Sequence, residues 1–320
     1  MPKSIAVSGL RTFLGRRLAE RLWSRGRRRR VVGIDLRRPH GLPLGVRFHS
    51  VDLTVPSAGA DLAEVLEKES VEVMVHLAFR REPTPDLEAD HELDTIGSLG
   101  VLHACAAAGV RRLVVGSTTM TYGPWPDNPN YLTEEHPLRG QPAAHAVRNR
   151  IEVEELVARF AQSHPETQVT VLRPCWIIGP TYVDAVVRYF ARPIVPTLLG
   201  YDPLLQFLHE EDCLNAFEQV ILHPHPGVFN VVPPGVLPLS VLLRSAGKRP
   251  LPVPPRLLYR LRYYPSQAQT GDPPEGFYDY LRYLWVAAGE KGWEALGRPV
   301  HDTREAWMSF VSSRRMQRYR

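Results

Sequence analysis

The first residues able to do chemistry stand in Val7-Ser8-Gly9-Leu10-Arg11-Thr12-Phe13-Leu14-Gly15, directly after a short apolar run. Gly9 can take the tight turn after a strand, and Gly15 lets a following helix pack closely on the sheet. The start of that helix offers unpaired N–H groups and partial positive charge to a pyrophosphate. The next apolar run ends in Asp35, 26 residues beyond Gly9. A carboxylate there accepts hydrogen bonds from an adenosine ribose and repels a 2′-phosphate, which predicts NAD in preference to NADP. Arg37 and Arg38 follow and soften that preference. Other reactive types give less. Cys105, Cys175 and Cys213 are isolated thiols without CxxC spacing, predicting neither a disulfide framework nor a structural zinc site and fitting a reducing cytoplasm. In His223-Pro224-His225-Pro226 prolines separate the imidazoles, so a surface turn is expected rather than a metal site.

The elements that must position these residues alternate in type. Strands are expected at Ile5–Val7, Val31–Ile34, Phe48–Val51, Val73–Leu77, Leu113–Gly116 and Val169–Leu172, with helices over Leu14–Trp23, Leu62–Lys68, Asp94–Ala108 and Ala143–Ala161. Near-continuous apolar strands suit a sheet covered on both faces, so the fold class is α/β, a Rossmann-type doubly wound parallel sheet. After Arg173-Pro174 the rhythm breaks into short helices near Tyr182–Tyr189 and Asp212–Ile221, a strand at Val228–Val232, a proline- and aromatic-rich stretch over Pro250–Pro274 and an interrupted helical end over Phe277–Phe310. This predicts a dinucleotide-binding domain over 1–174 with return segments near 207–232, and a smaller substrate-side domain from 175–206 and 233–320.

The chain has 320 residues, 44% hydrophobic and 23% charged, enough for a sizeable globular core. Its N-terminus carries no long apolar segment, so no secretory signal is expected, and no run reaches the ~18 apolar residues that span a bilayer. Only four of the 39 basic residues are lysine: Lys3, Lys68, Lys248 and Lys291. That arginine bias weakens the net charge of +5 as a sign of nucleic-acid binding. Arg25 with Arg27 to Arg30, and Arg314, Arg315, Arg318 and Arg320, read as a solvated turn and a chain end, with an anionic partner or membrane surface as the alternative. Glu152, Glu154 and Glu155 read as a solvated helix face, and the late tyrosines (Tyr259, Tyr263, Tyr264, Tyr278, Tyr280, Tyr283, Tyr319) as packing, an interface or a ligand pocket.

Read in order, the motifs resemble the extended short-chain dehydrogenase/reductase family of NAD-dependent sugar epimerases and dehydratases. Ser8, Gly9 and Gly15 are similar to its T-G-x-x-G-x-x-G opening. Ser117-Thr118-Thr119-Met120-Thr121-Tyr122-Gly123 resembles the segment after strand five, Leu172-Arg173-Pro174 and Gly179-Pro180 its L-R-P-x-x-x-x-G-P, Phe207 to Asp212 its F-x-H-x-x-D, and Phe229-Asn230-Val231 its late strand. The resemblance spans residues 4 to about 232. It implies cofactor contacts from the loop (Gly9, Arg11, Thr12, Phe13, Leu14, Gly15), from Asp35 and Leu36, from Asp52 and Leu53 near adenine, and from Leu77, Ala78 and Pro174. It also implies a nucleotide-sugar or other small-molecule ligand, a homodimer and a cytoplasmic setting.

The chain departs from that family where catalysis would lie. Thr12 replaces the middle loop glycine; its β-branched bulk and restriction to φ < 0 predict weaker cofactor binding. The family's Y-x-x-x-K falls on His145-Ala146-Val147-Arg148-Asn149, placing His145 where tyrosine belongs and Asn149 where lysine belongs. No lysine occurs between Lys68 and Lys248, so no register supplies one. Thr118 keeps the place of the catalytic Ser/Thr, while Asp94 and Gly100 stand where helix asparagines are usual. Three readings follow: a nucleotide-binding protein without redox chemistry, serving in sensing or scaffolding; an enzyme in which His145 is the base and Thr118 orients a hydroxyl or carbonyl; or a chain that has lost its cofactor and keeps only the sheet.

Overall fold

The computed structural model describes residues 1–25, 29–80, 86–258 and 276–317. In chain order the strands are β1 (Ser4–Ser8), β2 (Arg30–Asp35), β3 (Arg47–Ser50), β4 (Val73–His76), β5 (Arg112–Gly116), β6 (Gln168–Pro174), β7 (Trp176–Ile178), β8 (Ile194–Leu198), β9 (Leu204–Leu205), β10 (Phe207–His209), β11 (Gly227–Val231), β12 (Leu237–Pro238) and β13 (Arg249–Val253). Seven of them form one sheet in the order β11-β6-β5-β4-β1-β2-β3, every pairing parallel. All seven expected strands lie in it.

Alternation within β1 explains why both faces are covered. Ile5 and Val7 join a core with helix α1 (Phe13–Arg25), while Ala6 joins the opposite core under α2 (Ala58–Lys68). A further helical run spans α3 (Leu87–His91), a π-turn (Glu92–Ile96) and α4 (Gly97–Ala107), so it begins seven residues before the expected Asp94. On α4, Gly100 lies against Gly59 of α2, which lets the two backbones approach. Helix α5 (His145–Ser163) crosses behind β5 and β6.

Beyond β6, helices α6 (Ala185–Ala191), α7 (Glu210–Leu222) and α8 (Leu239–Ser245) mix with short strand pairs: β7 with β10, β9 with β12, and β8 with β13. Helices Glu290–Leu296 and Thr303–Gln317 complete the described chain. Trp176 centres an aromatic cluster with Phe277 stacked at 5.3 Å and Trp285 edge-on at 4.9 Å. Tyr278 and Tyr280 are buried in it, so these two of the late tyrosines pack the core. Tyr259, Tyr263, Tyr264 and Tyr319 lie outside the described residues.

Of the arginine clusters, Arg25 pairs with Glu218 of α7 at 2.7 Å, Arg30 donates to Glu69 O at 2.8 Å, and Arg315 donates to Ala246 O at 3.2 Å. Those side chains tie elements together. Arg27, Arg28, Arg318 and Arg320 lie outside the described residues. No described helix is long and apolar enough to cross a membrane.

One glutamate of α5 departs from the expected solvated face. Glu152 and Glu155 are exposed, but Glu154 is buried, accepting from Arg173 Nη2 at 2.6 Å and bonded to the Ser117 hydroxyl. Glu154 points at β6, where Arg173 neutralises it; a carboxylate so placed stays buried only because it is paired.

Candidate functional site

At the C-terminal ends of β1 and β4 the strand order reverses, the place where doubly wound sheets hold ligands. Gly9 turns the chain there with φ +76°, and a Cβ at Gly9 would collide with the Leu77 carbonyl and Ala78 nitrogen. Gly15 is equally constrained, since its missing Cβ makes room for the Gly9 carbonyl. Leu14 fixes the helix by burial in the core beneath. Both glycines thus do what the loop chemistry required.

Thr12 has found a use in this loop. Its Oγ1 donates to Gly9 O at 2.7 Å and accepts Gly15 N at 3.0 Å, capping the start of α1, with an ordinary negative φ. The loop turns here without asking threonine for a positive φ, and the hydroxyl takes one of the helix N–H groups for itself. Thr12→Ala should lower unfolding free energy by about 1 kcal/mol in chemical denaturation, the usual worth of such a cap. A variant as stable as the parent would show that the cap contributes nothing.

Asp35 closes β2 with its side chain over the loop. One oxygen accepts Arg11 N and the other Leu36 N, each at 2.8 Å. Arg38 is turned away, donating to Leu42 O and Pro43 O at 3.4 and 3.1 Å. Asp52 lies just past β3, which pairs with β2 beside Asp35; the Thr54 hydroxyl bonded to it at 2.6 Å holds its carboxyl below the usual range. Leu53 is buried under the same edge.

A cavity of about 190 Å³ opens beside this crevice. Thr118, His145 and Pro174 line it together, as do Arg80, Asp90 and Arg150. Phe13 of the glycine loop meets Tyr182 of the cavity wall edge to face at 5.0 Å, so loop and cavity adjoin. Asn149 does not line the cavity. It is buried with an Nδ2 that has no hydrogen-bond partner among the described residues, while Arg150, one residue on, faces the opening. One residue turns a helix by about 100°, enough to exchange the two. Arg150 donates to Gly116 O at 3.0 Å and lies 3.4 Å from the Phe79 ring centre.

The titrating groups differ in setting. Asp90 pairs with Arg80 at 2.7 Å, yet burial raises its carboxyl above the usual range, and it does the same to Asp94 behind it. Thr118 Oγ1 accepts Met120 N at 3.2 Å. His145 opens α5, and Arg148 bonds its Nδ1. With that guanidinium donating, the neutral ring carries its hydrogen on Nε2 and presents a donor.

Other residues of the matched motifs act as staples. Asn230 accepts from the Tyr122 hydroxyl at 2.8 Å and donates to Leu132 O and Ala288 O. His209 accepts Glu211 N at the start of α7, and Asp212 accepts Val300 N and His301 N. His209, Asp212 and His301 cluster within 4.8 Å, but the two rings stack at 4.0 Å and Asp212 is already engaged. Stacked rings cannot aim both lone pairs at one ion, so this trio is a clamp between α7 and the C-terminal segment.

A doubly wound sheet with a glycine loop and a terminal Asp35 gives the chain a Rossmann-type α/β fold. The model of the NAD dependent epimerase/dehydratase family matches residues 5–231, and the chain belongs to that family. An uncharacterized protein of Mycobacterium tuberculosis is 33% identical over 260 residues, covering 79% of this chain and 68% of its own. The fold is similar to UDP-glucose 4-epimerase from Thermotoga maritima with UDP-glucose (TM-score 0.75, 18% identity, 98% and 99% of the two chains). It is also similar to the Thermus thermophilus UDP-glucose 4-epimerase complex with NAD (TM-score 0.74, 21% identity, 98% and 99%).

Proposed function

We propose that this chain holds NAD in the crevice between β1 and β4 and does not perform the family's usual hydride transfer. It serves instead as a nucleotide-binding sensor or scaffold whose adjoining cavity takes a second small molecule. The observation that carries the reading is the cavity face of α5, formed by His145, Ala146, Val147 and Arg150, which offers neither tyrosine nor lysine. Tyr182 reaches the wall from another segment, but it is buried against Phe13. His145, with Arg148 on Nδ1, presents a donor where a base is needed. Bound NAD would bring a hydride-accepting ring; Asp35 would hold the adenosine ribose, and the loop N–H groups the pyrophosphate. The second reading, an oxidoreductase or epimerase using His145 and Thr118, draws on Asp90, a buried carboxyl in the same wall.

Calorimetric titration with both nucleotides tests the proposal. NAD should bind more tightly than NADP, and Asp35→Ala should weaken NAD by about 10- to 100-fold, the worth of one or two hydrogen bonds to a carboxylate. No binding by the unaltered chain at millimolar nucleotide would sink it. Growth of absorbance at 340 nm when alcohols are added to the NAD-loaded protein would favour the second reading instead.

A further inference from the structure

The β8–β13 pair joins two stretches of chain that lack carboxylates. No aspartate or glutamate occurs between Asp184 and Asp202 or between Glu218 and Asp272, although 34 of the 320 residues are acidic. Arg192, Arg244, Lys248, Arg249 and Arg256 fall within these stretches. Lys248 donates to Ala191 O and Arg192 O at 3.1 and 2.9 Å, drawing the starts of the two strands together. The flanking Asp184 and Asp202 cap the starts of α6 and α8, accepting Val187 N at 2.7 Å and Ser240 N at 2.8 Å. Arg249 and Arg256 are exposed and meet no carboxylate among the described residues.

The same region exposes apolar side chains. In register across the pair, Ile194 lies beside Arg249 and Pro196 beside Leu251, while Val195 and Thr197 turn inward. Ile194 and Leu251, with Leu199 and Leu257 just past the strand ends, are each 49% to 53% exposed. Aliphatic surface left in water is unfavourable, and here it is grouped rather than scattered. The edge does not invite another strand. Arg249 N donates to Pro193 O, so alternate N–H positions of β13 face β8, and the outward ones fall on Pro250 and Pro252. Proline removes both outward donors, which guards an edge strand against pairing.

We infer that the β8–β13 face binds peripherally to bilayers of anionic lipid, with Arg249 and Arg256 among the headgroups and Ile194 and Leu251 at the acyl boundary. Such a surface satisfies both features at once: negative headgroups draw the arginines, and the layer beneath takes the aliphatic side chains. A nucleic acid would engage the arginines through its phosphates but leave the leucines in water. The inference goes beyond the proposed function and does not depend on what the crevice holds.

The experiment is flotation of the full chain, without nucleotide, on vesicles of equal parts phosphatidylglycerol and phosphatidylcholine and on vesicles of phosphatidylcholine alone. The anionic vesicles should bind at least about tenfold more tightly, and added salt should weaken them. Arg249→Gln with Arg256→Gln should weaken that binding about tenfold or more, the effect of removing two cations from an anionic surface. Ile194→Ser with Leu251→Ser should weaken it several-fold, because the apolar contribution goes with the side chains. All four positions are exposed, so the melting temperature should hold. The face itself is read by an environment-sensitive fluorophore attached at Leu251→Cys; Cys105, Cys175 and Cys213 are buried, which leaves the new thiol selective. Its emission should shift to the blue with anionic vesicles and stay unchanged with polyuridylate. The inference is overturned if the chain binds both kinds of vesicle equally or neither, if either pair of substitutions leaves binding unchanged, or if polyuridylate shifts the fluorophore as strongly. Should the serine pair fail to fold, the glutamine pair and the fluorophore still decide.

Discussion

Arg173→Met should lower the unfolding free energy by about 3–5 kcal/mol, among the largest single-residue losses in the chain. Arg173 is buried at the end of β6, with Nε and Nη2 on Glu154 and Nη1 on the Tyr122 hydroxyl at 2.8 Å. Tyr122 passes the connection to Asn230 of β11, and Glu154 passes it to Ser117 after β5. Methionine fills much of the volume but leaves Glu154 charged, buried and uncompensated. The cost lies in that orphaned charge more than in the lost attraction, because taking two ions out of water consumes most of what their pairing returns. Arg173→Met with Glu154→Gln should therefore recover a large part of the loss. Urea denaturation of the four proteins, with slopes compared, measures both quantities. A single-variant loss below about 1 kcal/mol, or a double variant as unstable as the sum of the singles, contradicts the assignment.

This network also shows where the sequence could be read and where it could not. The seven sheet strands were visible because strands covered on both faces are apolar at nearly every position, and Val73–His76 and Arg112–Gly116 need no alternation to be recognised. Glu154 was opaque for the opposite reason. Three glutamates within four helical residues look like a wetted face, and only the position of β6 reveals that one of them turns inward to Arg173. The β8–β13 pair escaped because Pro196, Pro250 and Pro252 interrupt it, and proline argues against a central strand; it is tolerated here on a two-stranded pair.

The cleft was legible to the same depth. Gly9 and Gly15 declare themselves by backbone demands, and the Asp35 carboxylate accepts Arg11 N of the same loop. The cavity was not, because its face of α5 depends on rotation: Asn149 and Arg150 are adjacent in sequence but face different surroundings. Asp90 gave no signal at all, since a carboxylate on a short helix becomes notable only when Arg80 and the cavity wall enclose it. The motif residues outside the cleft, Asn230, Asp212 and Arg173, are cross-braces of the sheet.

The second large effect is an acid instability centred on His76. Burial, aided by the Arg150 charge, drives its imidazole down to about 3, and both ring nitrogens bond hydroxyls: Nδ1 to Ser8 at 2.8 Å and Nε2 to Ser98 at 2.9 Å. The folded value lies below the ordinary 6.5, so the unfolded chain takes a proton that the native chain refuses. The stability held by the neutral ring is complete above about pH 6.5 and is lost as pH falls from there toward about 3, by up to about 1.4 kcal/mol per unit. His209, lowered by burial, adds to the loss; Asp90 and Asp94, raised by burial, oppose it, because their native carboxyls take protons more readily. Between about pH 6.5 and 5 unfolded carboxylates stay largely ionised, so the unfolded chain's proton uptake there is that of its histidines. His76→Gln can keep both hydroxyl partners without titrating and should flatten that slope, even at some cost at neutral pH. An unchanged slope would place the acid sensitivity elsewhere. Ser8 also accepts Leu77 N at 3.3 Å, directly before the Gly9 turn, so a proton forced onto His76 disturbs the anchor of the glycine loop. Because the folded imidazole takes that proton only near pH 3, NAD affinity of the folded chain should hold across the window and be lost only with unfolding.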